Sequence, residues 1–128
     1  MDISIKNKID VTVKTSFNQL QSQVENNYFV FNYHVTILNK SNKTVQLLSR
    51  KWEITDSSGE TKIVVGEGVV GEQPIIFPNL SYDYFSACVL QTGFGKMEGS
   101  YIFEDQESMG VFEVLIPSFH FVLPWILN

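Results

Sequence analysis

Three glycines in a G-x-G-x-x-G spacing form the part of the chain that most suggests chemistry. The glycine segment, Gly66 to Pro74, reads Gly-Glu-Gly-Val-Val-Gly-Glu-Gln-Pro. In dinucleotide-binding proteins this spacing holds pyrophosphate because a helix begins there and offers free N–H groups. Here Pro78 follows in place of a helix, and Glu67 and Glu72 would repel a phosphate. The pattern favours a glycine-dependent loop or bulge, with nucleotide or pyrophosphate binding as the alternative.

The glycine segment also suits recognition of another molecule. Its glutamates and its glutamine lie between apolar residues, and glycine amides are bare enough to contact a partner or an anion. Outside it, Glu98 is the one acid whose neighbours, Met97 and Gly99, suggest burial. The predicted partner- or ligand-binding residues are Gly66, Glu67, Gly68, Gly71, Glu72, Gln73 and Glu98.

The residues that usually carry catalysis or bind metals lack the necessary spacing. His34 and His120 lie far apart in sequence, each in the polar phase of its alternation, which favours surface histidines over metal ligands. Cys88, the single cysteine, has apolar neighbours that predict a buried, unreactive thiol. The one acidic cluster, Glu104-Asp105-Gln106-Glu107, falls in a turn, where solvated charge is expected, and lacks the ligand spacing of a calcium loop.

We therefore predict no catalytic residue, no metal site and no cofactor. Direct binding of a divalent cation by carboxylates remains the alternative to that prediction.

Apolar and polar residues alternate along most of the chain, which is typical of half-buried strands. The clearest run places Phe29, Phe31 and Tyr33 on one face. Pro117 interrupts the last run and predicts a bend or an edge, because proline lacks the N–H that a strand ladder needs. The predicted strands cover residues 9–17, 29–37, 45–56, 61–65, 80–90, 96–104, 111–116 and 119–123.

These seven to eight short strands predict an all-β fold, an antiparallel two-sheet sandwich. The connections are too short for the helical crossovers that parallel strands require. The chain has 128 residues, and no linker or repeat divides it, so we expect a single domain over residues 1–128.

The charge balance limits the classes of partner. Nine Lys and Arg residues against fourteen Asp and Glu give a net charge of −5, which argues against nucleic acid. No stretch approaches the ~20 apolar residues of a membrane helix, so we expect no membrane insertion. The N-terminus has no secretory signal pattern, which with a lone thiol predicts a cytoplasmic protein. Pairing of two edge strands would make a symmetric homodimer.

Several separated segments resemble the ApaG family in order and spacing. Residues 45–56 are similar to the family's central strand, and residues 66–74 to its signature loop. Residues 97–101, 116–119 and 123–128 match further family segments. The resemblance covers nearly the whole chain. Lys51 departs from it, since a ring is expected before Trp52, and its presence removes one imidazole that could hold a metal.

The resemblance implies a β-sandwich of the fibronectin type III or immunoglobulin-like kind. Bacterial members are associated with Co²⁺/Mg²⁺ efflux or resistance, and related domains occur as modules in F-box proteins, which implies an interaction role. The family offers no catalytic residue to carry over. We expect a non-enzymatic interaction module that acts through an unidentified protein partner.

Overall fold

The computed structural model describes residues 5–126, in which eight strands are joined by loops and three short 3₁₀ turns. None of the helical turns in this range is long or apolar enough to cross a membrane. Residues 1–4, part of the N-terminus for which no signal is predicted, and residues 127–128 of the C-terminal family segment lie outside the described residues. The strands are β1 (Ile9–Phe17), β2 (Phe29–Asn39), β3 (Val45–Asp56), β4 (Thr61–Glu67), β5 (Ile75–Ile76), β6 (Ser81–Leu90), β7 (Phe94–Asp105) and β8 (Val111–Val122), and the 3₁₀ turns are Lys6–Lys8, Val24–Asn26 and Pro124–Ile126.

The strands form two antiparallel sheets packed face to face. One sheet has the order β1-β2-β6, and the other has the order β4-β3-β7-β8 with β5 added along β3. Every strand pair is antiparallel. The predicted all-β, antiparallel two-sheet sandwich is thereby confirmed.

Alternating side chains from both sheets fill the space between them. Phe31, Val35 and Ile37 of β2 are buried, whereas the polar residues between them face outward. The other sheet contributes Tyr101 and Phe103 of β7 to the same cluster, which extends in sequence from Ile5 to Leu123. Burying large rings from both sheets is the main stabilising term of such a sandwich.

Pro117 lies inside a continuous strand, so the predicted division into 111–116 and 119–123 is wrong. Met97 pairs with Phe119 and Gly99 pairs with Ile116, which leaves one extra residue on β8. This bulge accommodates the proline. Because β8 is an edge strand, its outer side has no neighbouring strand whose carbonyl would need the N–H that proline lacks.

A second irregularity lies in β3, between Leu47 and Ser49. Leu47 and Trp52 are both buried although five residues separate them, because the extra residue reverses the alternation. Arg50 thereby falls in phase with Trp52 on the core side of the sheet.

The two sides of the sandwich differ. On one side β1 and β8 approach each other, and the Thr15 hydroxyl donates to the carbonyl of His120 at 3.4 Å. On the other side the edge strands β4 and β6 are separated by a cleft lined from both sheets.

Candidate functional site

The glycine segment turns back on itself at Val69–Glu72. The amides of Val69 and Glu72 each donate to the other's carbonyl, at 2.8 and 2.9 Å. Val70 and Gly71 between them have φ of 48° and 79°, the pair of positive values that defines a type I′ turn. The chain then enters β5, so the described residues place no helix after the glycines.

Close approach excludes a side chain at Gly68, whereas at Gly66 a side chain would displace the guanidinium of Arg50. Gly68 has φ of 61°, and a Cβ there would lie 2.1 Å from the Glu72 carbonyl oxygen. A Cβ on Gly66 would meet the guanidinium of Arg50 at 2.8 Å. The turn conformation at Gly71, the backbone contact at Gly68 and the guanidinium beside Gly66 therefore account for the three glycines without a phosphate.

Side-chain hydrogen bonds hold the glycine segment to its neighbours. The Gln73 amide donates to the carbonyl of Leu48 at 2.8 Å, and the Gln46 amide donates to the carbonyl of Gln73 at 3.0 Å. The Tyr82 hydroxyl donates to a Glu72 carboxylate oxygen at 2.8 Å. The segment is thus fixed on the scaffold while several of its side chains remain in solvent.

The predicted site residues fall into two places. Glu67, Gly71, Glu72 and Gln73 are exposed on the glycine segment, with Gly68 buried and Gly66 half-buried beneath them. Glu98 lies apart: it pairs with Glu53, four residues along β3 (about 13 Å) from the Ser49 that pairs with Glu67.

Burial of Glu98 is a wrong expectation, because its side chain is 44% exposed and forms an ion pair with Lys96 at 3.5 Å. Among residues 5–126 the buried acid is Asp105, at the end of β7, contrary to the solvated charge expected for residues 104–107. Asp105 Oδ1 accepts a hydrogen bond from the Glu107 amide at 2.9 Å, so this carboxylate closes the turn. Among the described residues no three His, Cys, Asp or Glu side chains converge as a metal site would require.

His34 forms the arrangement that most resembles a catalytic pair. Its Nε2 lies 3.1 Å from Asp83 Oδ1, and its ring stacks on Phe85 with centroids 4.3 Å apart. The Thr36 hydroxyl also binds Asp83, at 2.6 Å, and lowers the pKa of that carboxyl, with His34 adding to the effect. Since the threonine donates to the carboxylate and not to the imidazole, this cluster lacks an activated nucleophile.

A cleft between β4 and β6 lies beside the glycine segment, with a volume of about 810 Å³. Its walls combine apolar side chains such as Trp52, Val64 and Met97 with the polar groups of Arg50 and Tyr84. Pockets for small molecules have this size, and in this one the polar side chains are about as numerous as the apolar ones.

Arg50 connects the cleft to the glycine segment. Its Nη1 donates to the carbonyls of Glu67 and Gly68, at 3.1 and 2.8 Å. None of the ion pairs among residues 5–126 involves it. The guanidinium therefore keeps an unneutralised positive charge at the cleft wall.

Tyrosine hydroxyls lie near this charge. Tyr84 and Tyr101 share a hydrogen bond between their hydroxyl oxygens across the two sheets. Burial raises the pKa of both hydroxyls and of Tyr33, and Arg50 partly opposes the shift in each. All three remain protonated donors at neutral pH.

Cys88 lines the same cleft and is buried, as its apolar neighbours predict. Burial raises the pKa of its thiol to about 11, with Lys62 acting weakly in the opposite direction. A thiol with so little thiolate at neutral pH is a poor nucleophile.

Sequence reasoning missed Arg50 and the tyrosines of the cleft. A signal existed for Arg50, which stands two residues before the core residue Trp52 and therefore on the same face of β3. No comparable signal existed for Tyr84 and Tyr101, because tyrosines in the buried phase of a strand are ordinary core residues.

The chain is similar to known proteins over nearly its whole length. The family model described as the ApaG domain matches residues 19–105. Protein ApaG of Brucella suis biovar 1 is 46% identical over 116 residues, which span 91% of this chain and 88% of that protein. Protein ApaG of Vibrio cholerae serotype O1 is 44% identical over 128 residues, covering both chains fully.

A solved structure agrees with these relatives. The crystal structure of the structural-genomics target SoR45 superimposes with a TM-score of 0.90 and 41% identity, covering 97% of this chain and 93% of its own. The strand pattern, the glycine segment and these comparisons lead to one conclusion: the chain belongs to the ApaG family.

Proposed function

We propose that this ApaG chain is a non-enzymatic module that recognises a protein partner through the glycine segment. The observation that carries the proposal is the fixed conformation of this segment beneath exposed side chains. Glu67, Glu72 and Gln73 are in solvent, and Val70 at the tip of the turn is 60% exposed. A surface held in its binding conformation loses little entropy on association. Glu98, set apart on β7, lies outside the centre of this surface.

The molecule is proposed to act as one ApaG domain over residues 1–128, because a single buried cluster joins residues near both ends of the described chain. The family resemblance associates such modules with Co²⁺/Mg²⁺ efflux or resistance. We propose that this chain influences divalent-cation homeostasis in the cytoplasm through its partner.

The test reverses the negative charges of the glycine segment and measures how strongly the partner still binds. A photo-crosslinking amino acid at Val70 would capture the partner in cells, and the purified partner would then be titrated with variants. We expect Glu67→Lys combined with Glu72→Lys to weaken binding at least tenfold, about 1.4 kcal/mol. The same charge change made by Glu25→Lys with Glu113→Lys, at two other exposed positions, is the matched control. Equal binding by both double variants would show that the glycine segment is not the contact.

Two alternatives have less support from the geometry. Pyrophosphate binding by a glycine pattern depends on a helix N-terminus, and here the pattern builds a type I′ turn. Divalent-cation binding needs converging carboxylates, which the described residues lack. Heat on titration with ATP, or a rise in Tm with excess Co²⁺, would favour one of them over the partner model.

Self-association through an edge strand is a further proposal. β4 is an exposed edge whose outward side chains Ile63 and Val65 are apolar, whereas β1 carries Lys14, which discourages pairing. Val65→Lys is expected to dissociate a dimer formed through β4, as judged by light scattering, and a dimer that persists would place the contact elsewhere.

A further inference from the structure

We propose that the cleft between β4 and β6 binds a small organic acid, with its carboxylate on Arg50 and its apolar body against Trp52. This site adjoins the glycine segment, since Val69 and Val70 also line the cleft, but it differs from that surface in the chemistry it recognises. The proposal does not depend on the partner proposed above.

The first argument is the state of Arg50. A guanidinium has five N–H donors, and the hydrogen bonds of Arg50 within the described residues come from Nη1 alone, to two carbonyls. No carboxylate of the described chain pairs with it, although fourteen acidic residues against nine basic ones make partners abundant. An arginine held half-buried without an acid, in an acidic protein, is complementary to a carboxylate from outside.

The second argument is the position of hydroxyl donors. Tyr33 and Tyr84 line the cleft together with Arg50. The hydrogen bond between Tyr84 and Tyr101 uses one of their two protons, so one hydroxyl of the pair retains a proton to donate. A carboxylate beside Arg50 could accept from a tyrosine as well as from the guanidinium.

The third argument defines the rest of the ligand. The lining of the cleft also includes apolar side chains, among them Trp52, Val64 and Met97, which suit an aromatic or aliphatic body. Asp56, Glu60 and Lys62 also line the cleft, so that with Arg50 the lining carries two cationic and two anionic side chains. A lining without net positive charge favours a monoanion with an apolar body over a nucleotide or another polyanion.

The experiment uses three acids and their neutral amides as probes: benzoate, phenylacetate and hexanoate against benzamide, phenylacetamide and hexanamide. Binding is followed by ¹H–¹⁵N correlation spectra of the full chain and by tryptophan fluorescence, to which Trp52 and Trp125 both contribute. At least one acid is expected to bind saturably below about 10 mM, and its amide at least tenfold more weakly. The shifted amides should belong to β4, β6 and the part of β3 that contains Arg50.

Three variants test whether the acid binds in the cleft and whether Arg50 contacts it directly. Val64→Phe narrows the cleft without removing a polar group, and it should weaken binding at least tenfold. Ile63→Phe adds the same ring on the exposed face of the same strand and should leave binding unchanged. Arg50→Lys keeps the charge but loses the planar fork, so binding should weaken while the amide-versus-acid difference persists in part.

Three results would each overturn the proposal. The first is that none of the acids saturates. The second is that each acid binds no better than its amide. The third is that Val64→Phe and Ile63→Phe bind the acid equally.

Discussion

The glycines at 68 and 71 have positive φ for different structural reasons. Gly71 occupies the second central position of a type I′ turn, with open space where a Cβ would lie. Gly68 is packed against the Glu72 carbonyl, so a side chain there would meet the backbone as well as an unfavourable φ. The two positions therefore separate conformational strain from steric exclusion.

Substitution of these glycines by alanine tests that separation. Gly71→Ala should lower the free energy of unfolding by about 1 kcal/mol, because only the backbone conformation is strained. Gly68→Ala should lower it by about 3 kcal/mol, because the backbone must also move away from the new Cβ. Urea unfolding followed by tryptophan fluorescence measures both. Equal losses would mean that the close contact at Gly68 relaxes freely.

The single thiol allows a second prediction at this scale. With its pKa near 11, Cys88 should react with a thiol reagent at pH 8 about 100-fold more slowly than a free cysteine does. The chain unfolded in urea serves as the control and should react at the full rate. Rapid reaction of the folded protein would show that the cleft opens around β6.

Elements were predicted where alternation is long and missed where it is short or interrupted. The runs of β1 and β2 are regular enough that their faces can be read directly from the sequence. β5, Ile75–Ile76, has two residues and therefore no period. Residue types alone do not reveal a bulge. Counting in twos from Leu47 therefore places Arg50 on the wrong face of β3. In the same way, the sequence alone predicts that a strand ends at Pro117, where β8 in fact continues through a bulge.

The junction of β2, β3 and β5 depends on one buried amide that the sequence did not reveal. Asn39 donates to the carbonyls of Lys43 and Ile76, at 2.7 and 3.0 Å, and accepts from the Ser41 amide at 3.0 Å. The turn-forming residues from Asn39 to Lys43 predict a loop, but they do not indicate which polar side chain of that loop faces the core. The Asn39 side chain therefore joins the end of β2, in one sheet, to the start of β3 and to β5, in the other.

Asn39→Ala should lower the free energy of unfolding by about 3 kcal/mol, since it leaves buried backbone groups without partners. Asn42→Ala, at an exposed position of the same loop, should change it by less than about 0.5 kcal/mol. Chemical denaturation compares the two variants. Similar stabilities would show that water replaces the Asn39 contacts.

The whole molecule should lose stability in alkali. Burial raises the pKa of Cys88, Tyr33, Tyr84 and Tyr101 above their ordinary values, which are 9.0 for the thiol and 10.0 for the hydroxyls. Above pH 9 the unfolded chain therefore releases protons that the folded chain retains. Ionisation thus favours unfolding, and the stabilising contribution present below pH 9 declines as the pH rises.

Denaturation curves at increasing pH measure this decline. The free energy of unfolding should be nearly level from neutrality to about pH 9 and then fall progressively. Tyr101→Phe removes one of the raised groups, and the decline of that variant should be shallower whatever its stability at neutral pH. A decline of unchanged steepness would place the alkaline sensitivity elsewhere.

The hydrogen bond between the hydroxyls of Tyr84 and Tyr101 also restricts how the two sheets can shift against each other. β6 belongs to one sheet and β7 to the other, so this bond crosses the core and ties their registers together. Sliding one sheet by a single residue repeat, about 3.3 Å, would break this hydrogen bond and leave both hydroxyls without a partner among apolar side chains. The sandwich should consequently resist shear at this point and flex by widening at the edge formed by β4 and β6.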